Sequence, residues 1–307
     1  MVKSKLQPTA SLDEITLGRY LIHLYQNKIL ILLPVIIFSV IGVIYSLSIP
    51  NEYRSDIVLV PTESDSGGSL SSLASKFGGV ASLAGISLGS QESNTTTIAL
   101  KTLESRAFIA YFIDKYELAV PLMGVEKWDS KENKLIYDTE IYNPESKKWI
   151  RDVSYPYTIE PSEAELYEVF RERMSVYQDE ETGFVSVGFS YYSPILAQEY
   201  LQNLVKELNV WVGQRVDAET NRRIEHLKGQ IKLNNIAELN AVFYELLTEE
   251  YKSKLLYQLG DSFAFKTLDP ATLPQFKNSP KRALICIAFA IMGFVIGAII
   301  ASFRKMK

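Results

Sequence analysis

Two uncharged stretches set the limits on what this chain can fold into. Ile29–Ile49 reads ILILLPVIIFSVIGVIYSLSI and Ala283–Phe303 reads ALICIAFAIMGFVIGAIIASF, each 21 residues without a charged side chain. As helices they would each extend about 31 Å, close to the hydrocarbon thickness of a bilayer. A helix satisfies its own backbone polar groups and can lie in lipid, where a loop or an open sheet edge cannot. Pro34 falls in the first turns of the first run, where few backbone bonds are lost. Two plainer readings compete. A cleaved signal peptide would explain the first run, with Ser46 and Ser48 near a small-residue site, but the run is longer than a signal's apolar region and 28 residues precede it. A buried core helix would explain the second, but Lys281-Arg282 before it and Arg304-Lys305 after it are the borders of a span. The expected plan is a segment 1–28, a span 29–49, a domain 50–282, a span 283–303 and a tail 304–307.

Charge orients that plan. The chain has 32 Lys+Arg against 36 Asp+Glu, a net charge of −4. The two tails hold 7 of the basic and 2 of the acidic residues, which leaves 25 and 34 for the middle, a net of −9. Short basic tails place both termini in the cytoplasm and the middle domain outside it. Lys281 and Arg282 lie on the wrong side by this rule, but charges in a long translocated segment weigh little. An acidic domain excludes nucleic acid as a partner. The only cysteine, Cys286, lies inside the second run, so no intrachain disulfide is expected.

The outer domain reads as mixed α and β. Tyr53–Val60 is a strand candidate ended by Pro61. Residues 64–97 are Ser/Gly-rich, with Leu70, Leu73, Phe77, Val80, Leu83 and Ile86 at short intervals, and read as a loop or as a contact surface. The spacing of Ile98, Leu103, Ala107 and Ile113 predicts one helix over Ile98–Tyr116. Short strand-like pieces such as LIYDTEIY follow, then a helix from Ser162, then a hairpin of Met174–Tyr177 and Phe184–Phe189. A long helix begins at Pro194, with Ala197, Leu201, Leu204, Leu208, Trp211 and Val212 on one stripe, and is expected to end near Gly229. Asn234-Asn235 marks a break. A second helix carries Ile236, Leu239, Phe243, Leu246, Leu247, Tyr251 and Leu255, and closes at Gly260. The two make a helical hairpin over about 194–260, stripe against stripe. Phe263–Leu268 is the last strand. The order β-α-β-β-α-β is that of a ferredoxin-like split. The expected fold is therefore an α+β membrane protein: two transmembrane helices flanking a ferredoxin-like α/β base at the membrane, with the hairpin projecting away.

Residues that carry chemistry are scarce. His23 and His226 lack metal-ligand spacing, no Gly-rich turn precedes Lys-Ser or Lys-Thr, and no Gly-x-Ser-x-Gly occurs. Carboxylate pairs such as Glu249-Glu250 read as solvated faces. No catalytic, cofactor or metal site is expected, and the chain reads as a non-enzyme. Two softer features remain. Gly293-x-x-x-Gly297, extended by Ala301, lets a second helix approach closely and reads as a helix-packing or oligomer contact. Arg215, Arg222 and Arg223 on the long helix read either as an ion-paired face or as a contact for an anionic or sugar ligand or a partner.

Several segments resemble one family. DEITLGRYLIHLYQNK (Asp13–Lys28), IPNEYRSDIVLV (Ile49–Val60) and TTIALKTLESRAFIAYFIDKYEL (Thr96–Leu118) are similar to the entry segment, post-span strand and first base helix of the Wzz family of polysaccharide co-polymerases, or chain-length determinants. FKTLDPATLP…SPKRALI (Phe265–Ile285), with Pro270, Pro274, Pro280, Lys281 and Arg282 leading into the second span, resembles that family's membrane-entry motif. The resemblance implies a bacterial inner-membrane protein with a periplasmic domain and no cofactor. It implies a homo-oligomer in contact with membrane lipid that sets how far a polymerase extends a growing polysaccharide. Many relatives carry a kinase domain after the second span. A chain stopping at Lys307 is expected to serve lipopolysaccharide O-antigen, with capsule or exopolysaccharide export beside a separate kinase as the alternative. A two-span sensor is the rival outside the family, and the four-residue tail offers it no output module.

Overall fold

The computed structural model describes residues 28–62, 92–233, 236–259 and 263–303. The chain divides into two compact units, Met1–Pro50 with Ser279–Lys307, and Asn51–Asn278. The Ser/Gly-rich stretch up to residue 91, the Asn234-Asn235 break and Gly260 lie outside the described residues.

In the first unit, α1 (Lys28–Ser48) and α8 (Arg282–Phe303) coincide with the two uncharged runs. Both are long and apolar enough to cross a membrane, and only 11% of each apolar window is buried. Side chains such as Leu32, Ile36, Ile287 and Ile291 are exposed, which a water-soluble core helix does not tolerate. The core-helix reading of the second run therefore fails.

The second unit is built on one antiparallel sheet of β1 (Tyr53–Pro61), β6 (Met174–Gln178), β7 (Val185–Tyr191) and β8 (Phe265–Asp269), in the spatial order β6-β7-β1-β8. Alternation decides its faces. Ser55, Ile57 and Leu59 of β1 are buried with Val185, Val187, Phe189 and Tyr191 of β7, while Arg54 and Asp56 point away. Ile57 lies opposite Val187, which lies opposite Val176. The β6–β7 turn is held by the Asp179 carboxylate, which accepts from the Glu181 and Thr182 amides at 2.8 and 3.1 Å. Gly183 then takes the positive φ of 72° that the turn requires.

Between β1 and β6 the chain forms α2 (Glu92–Leu103), α3 (Arg106–Lys115), α4 (Ala119–Met123) and α5 (Glu163–Arg173). Two small ribbons lie among them, β2 (Val125–Asp129) with β3 (Lys134–Tyr137), and β4 (Tyr142–Asn143) with β5 (Lys148–Trp149). The single helix expected over Ile98–Tyr116 is thus two. Ser105 is extended and its hydroxyl accepts from the Phe108 amide, so a new N-cap interrupts the apolar period. Phe108, Phe112, Phe170 and Phe189 carry the core from these helices onto the sheet.

After β7 comes α6 (Pro194–Leu233), 40 residues long, and then α7 (Ala237–Leu259). α6 runs past Gly229, where helix termination was expected; one interior glycine costs only about 1 kcal/mol. Its stripe Ala197, Leu201, Leu204, Leu208 and Val212 is buried in the main core. The α7 stripe is not a continuous seam. Phe243 and Leu246 are buried with Leu227 of α6, but Ile236, Tyr251 and Leu255 are exposed. Earlier on α6 the residues facing α7 are polar, among them Asp217, Asn221 and Arg223, so ion pairs replace apolar packing there.

Candidate functional site

Chain-built chemistry is dispersed over three places that the sequence singled out. The first is the small-residue face of α8. A Cβ on Gly293 would sit 2.8 Å from the Pro34 carbonyl oxygen and 2.8 Å from the Val35 Cα. One on Gly297 would sit 2.8 Å from the Ile31 Cα. Across the same pair, a Cβ on Gly42 would sit 2.8 Å from the Phe289 Cβ, and Ala301 is fully buried. Ile31, Val35 and Gly42 meet Gly297, Gly293 and Phe289 in reverse order, so the helices are antiparallel. The small face of α8 therefore receives α1 of the same chain at backbone contact, a separation only glycine allows.

The second is the proline-rich segment. Pro270, Pro274 and Pro280 have no amide to donate, so no regular strand extends β8. Isolated bonds hold the segment beside β1 instead. Thr272 N donates to Asp56 O at 3.2 Å, and Asn278 N donates to Glu52 O at 2.8 Å. Ser55 Oγ donates to Thr272 O, and Gln198 Nε2 to Ala271 O, both at 2.7 Å. Lys281 is exposed and Arg282 opens α8.

The third is the arginine group on α6, and it divides. Arg223 lies between helices: its Nε and Nη2 donate to the Glu250 carboxylate of α7 at 2.8 and 3.2 Å, and Nη1 pairs with Glu219 at 3.2 Å. Arg223 is spent on holding α6 to α7. Arg215 and Arg222 are exposed and, among the described residues, carry no ion pair. Seven residues apart, they share one helix face about 10 Å apart along the axis.

The most built polar constellations were not found from sequence. Glu207, buried in the α6 stripe, accepts from Tyr111 Oη at 3.1 Å, Lys115 Nζ at 2.7 Å and Tyr116 Oη at 3.0 Å. Burial alone would raise its pKa; the three donors outweigh that and hold it below the usual carboxylate value. The same contact raises Lys115. A glutamate inside an apolar period was the available signal. Elsewhere Arg151 grips Glu165 with both nitrogens, at 2.6 and 2.9 Å, and donates to the Thr158 and Ile159 carbonyls. Glu165 also closes the Ser162 capping box of α5, and the Arg151 contact holds its pKa down at about 2. Arg173 lies over the Tyr191 and Tyr192 rings, 5.3 and 4.7 Å from their centroids, and reaches Glu52 at 3.5 Å. Each network joins segments of the fold. No group of three His, Cys, Asp or Glu with metal-binding placement occurs among the described residues.

Comparison with known proteins bears out the family resemblance. Residues 13–115 match the family model of Wzz, chain length determinant protein. No curated protein matches the chain. Among solved structures, a full-length bacterial polysaccharide co-polymerase is similar at 12% identity, with 95% of this chain and 97% of that chain covered and a TM-score of 0.40. A fragment of WzzB, the polysaccharide co-polymerase from Salmonella Typhimurium, is similar at 12% identity, with 75% of this chain and all of that chain covered and a TM-score of 0.32.

Proposed function

We infer that this chain, which carries the Wzz chain length determinant signature over residues 13–115, regulates the length of a bacterial surface polysaccharide. The family match carries this reading. It runs from the segment before α1 through β1 and on to the end of α3, joining a span to the folded base. The chain is read as an inner-membrane protein crossing twice, with both termini in the cytoplasm and Asn51–Asn278 in the periplasm. Two apolar helices and two basic tails support that topology. The strand order β6-β7-β1-β8, with helical crossovers, supports a ferredoxin-like base, and the α6–α7 pair is its helical hairpin.

The mechanism is templating. Several copies present repeated periplasmic surface to the growing glycan or to its polymerase, and residence there determines when extension stops. Ion pairs such as the half-buried Glu207–Lys115 and the largely buried Arg151–Glu165 keep that surface in shape. Arg215 and Arg222 are the arginines left to face a glycan or partner. The polysaccharide is the O-antigen of lipopolysaccharide. Deleting the gene should leave polymer synthesis intact while broadening the length distribution seen on a gel of surface polysaccharide. Loss of the polymer itself would mark a catalyst and contradict the proposal.

A further inference from the structure

We propose that the arch Leu273–Lys277 is a lipid anchor that seats the outer domain on the bilayer surface through Phe276. The inference rests on the reading of α1 and α8 as membrane spans.

The arch has a definite origin. Asp56 and Glu52 are four residues apart on the β1 side, but their partners Thr272 and Asn278 are six apart. Two residues too many between fixed bonds push the segment outward, as in a bulge. Pro274 cannot donate, so the excess is not drawn back into the ladder. Beside Gln275 and Lys277, two large apolar side chains are exposed on the arch: Leu273 is 52% exposed and Phe276 85%. A phenylalanine so exposed, on a segment bonded at both ends, is unexplained by the fold.

Chain length and charge identify what covers it. Asn278 is four residues before Arg282, the first residue of α8, and its partner Glu52 is four residues after Ser48, the last of α1. Fully extended chain covers about 3.5 Å per residue, so the foot of the arch lies within about 14 Å of both span ends. Polar interfacial layers add about 5–8 Å on each side of the hydrocarbon. The local charge is opposite to that of the domain: residues 270–282 hold Lys277, Lys281 and Arg282 and no acid, inside a segment 50–282 whose net charge is −9. An apolar ring beside lysines, tethered within reach of a bilayer, matches a surface of anionic lipid.

The test uses the full chain with Cys286→Ala, reconstituted in phosphatidylethanolamine/phosphatidylglycerol vesicles. An environment-sensitive fluorophore is placed at Phe276→Cys, with Leu273→Cys as a second probe. Tyr155→Cys, 97% exposed in the same unit, is the reference. Probes at 276 and 273 should emit to the blue of the one at 155, resist iodide, and lose intensity when nitroxide-headgroup lipid is added. Iodide quenching equal to that at 155, with no response to nitroxide lipid, overturns the proposal. A blue shift that fades as the protein is diluted with excess lipid, without nitroxide quenching, also overturns it, because the cover is then a second copy. None of these readings involves polysaccharide, so the anchor can fail while the chain-length function stands, and the reverse.

Discussion

At the scale of residues, stability in the unit Asn51–Asn278 depends on polar groups that sequence pattern hides. Glu207 is separated by more than ninety residues from Tyr111, Lys115 and Tyr116, so no local period announces the cluster. Glu207→Leu should destabilise the domain by about 2–3 kcal/mol, because two tyrosine hydroxyls lose their acceptor while Lys115 turns to water. Glu207→Gln keeps an acceptor oxygen and should cost roughly half that. Thermal unfolding of the purified chain in detergent, followed by near-ultraviolet circular dichroism, separates the two. The Ser162-x-x-Glu165 box, by contrast, is legible as a helix start. Its pairing with Arg151 is not, since nothing in the spacing points to a loop arginine. Glu165 is held at about 2, against about 4.3 for an unfolded glutamate. A depressed carboxylate contributes stability that is complete above the unfolded value and is lost as pH falls toward the folded one. Wild type should therefore lose this contribution between about pH 4.3 and 2. Arg151→Leu should be less stable at neutral pH and show a flatter loss across that window. Parallel pH profiles for the two proteins would contradict the assignment.

At the scale of elements, α1 and α8 are the parts most fully legible, because a long apolar helix is specified by an unbroken apolar composition rather than by distant partners. Their mutual register is not legible. Gly293 and Gly297 announce a close contact without naming its partner, and Gly42, which lies against Phe289, has no motif around it. In a Cys286→Ala background, Gly42→Cys with Phe289→Cys should form a disulfide within one chain, since their β-carbons fall close together. Adding Gly297→Leu should lower its yield, by weakening the helix pair by about 1–2 kcal/mol. A crosslinked dimer in place of an intrachain bond would show that the face serves another copy. The break between α2 and α3 is hidden in the sequence because the apolar period runs across the capping signal of Ser105. The ribbons β2–β3 and β4–β5 were blurred because strands of two to five residues are too short to show alternation. The α7 stripe has a real periodicity, but α6 offers polar partners over much of that length, which no period on α7 can show.

At the scale of the whole molecule, the order of strands and long helices could be read, since each carries its own hydrophobic period. The sheet order and the faces left open to solvent had to come from tertiary pairing. That pairing also narrows which arginines remain for function. Because Arg223 is committed to Glu250, its loss tests the α6–α7 contact, whereas Arg215→Ala with Arg222→Ala tests the exposed face. The double variant should fold normally and shift or blur the modal polysaccharide length; an unchanged mode would remove that face from the mechanism. Chain-length control itself is tested most directly in a deletion strain that expresses the polymerase at a fixed level. The protein is returned from an unrelated promoter, and surface polysaccharide is resolved by length on a gel. Direct regulation predicts a broad distribution without the protein and a single restored mode with it, at constant polymerase transcript. A deletion profile identical to wild type, in a genome without a second copy, would contradict it.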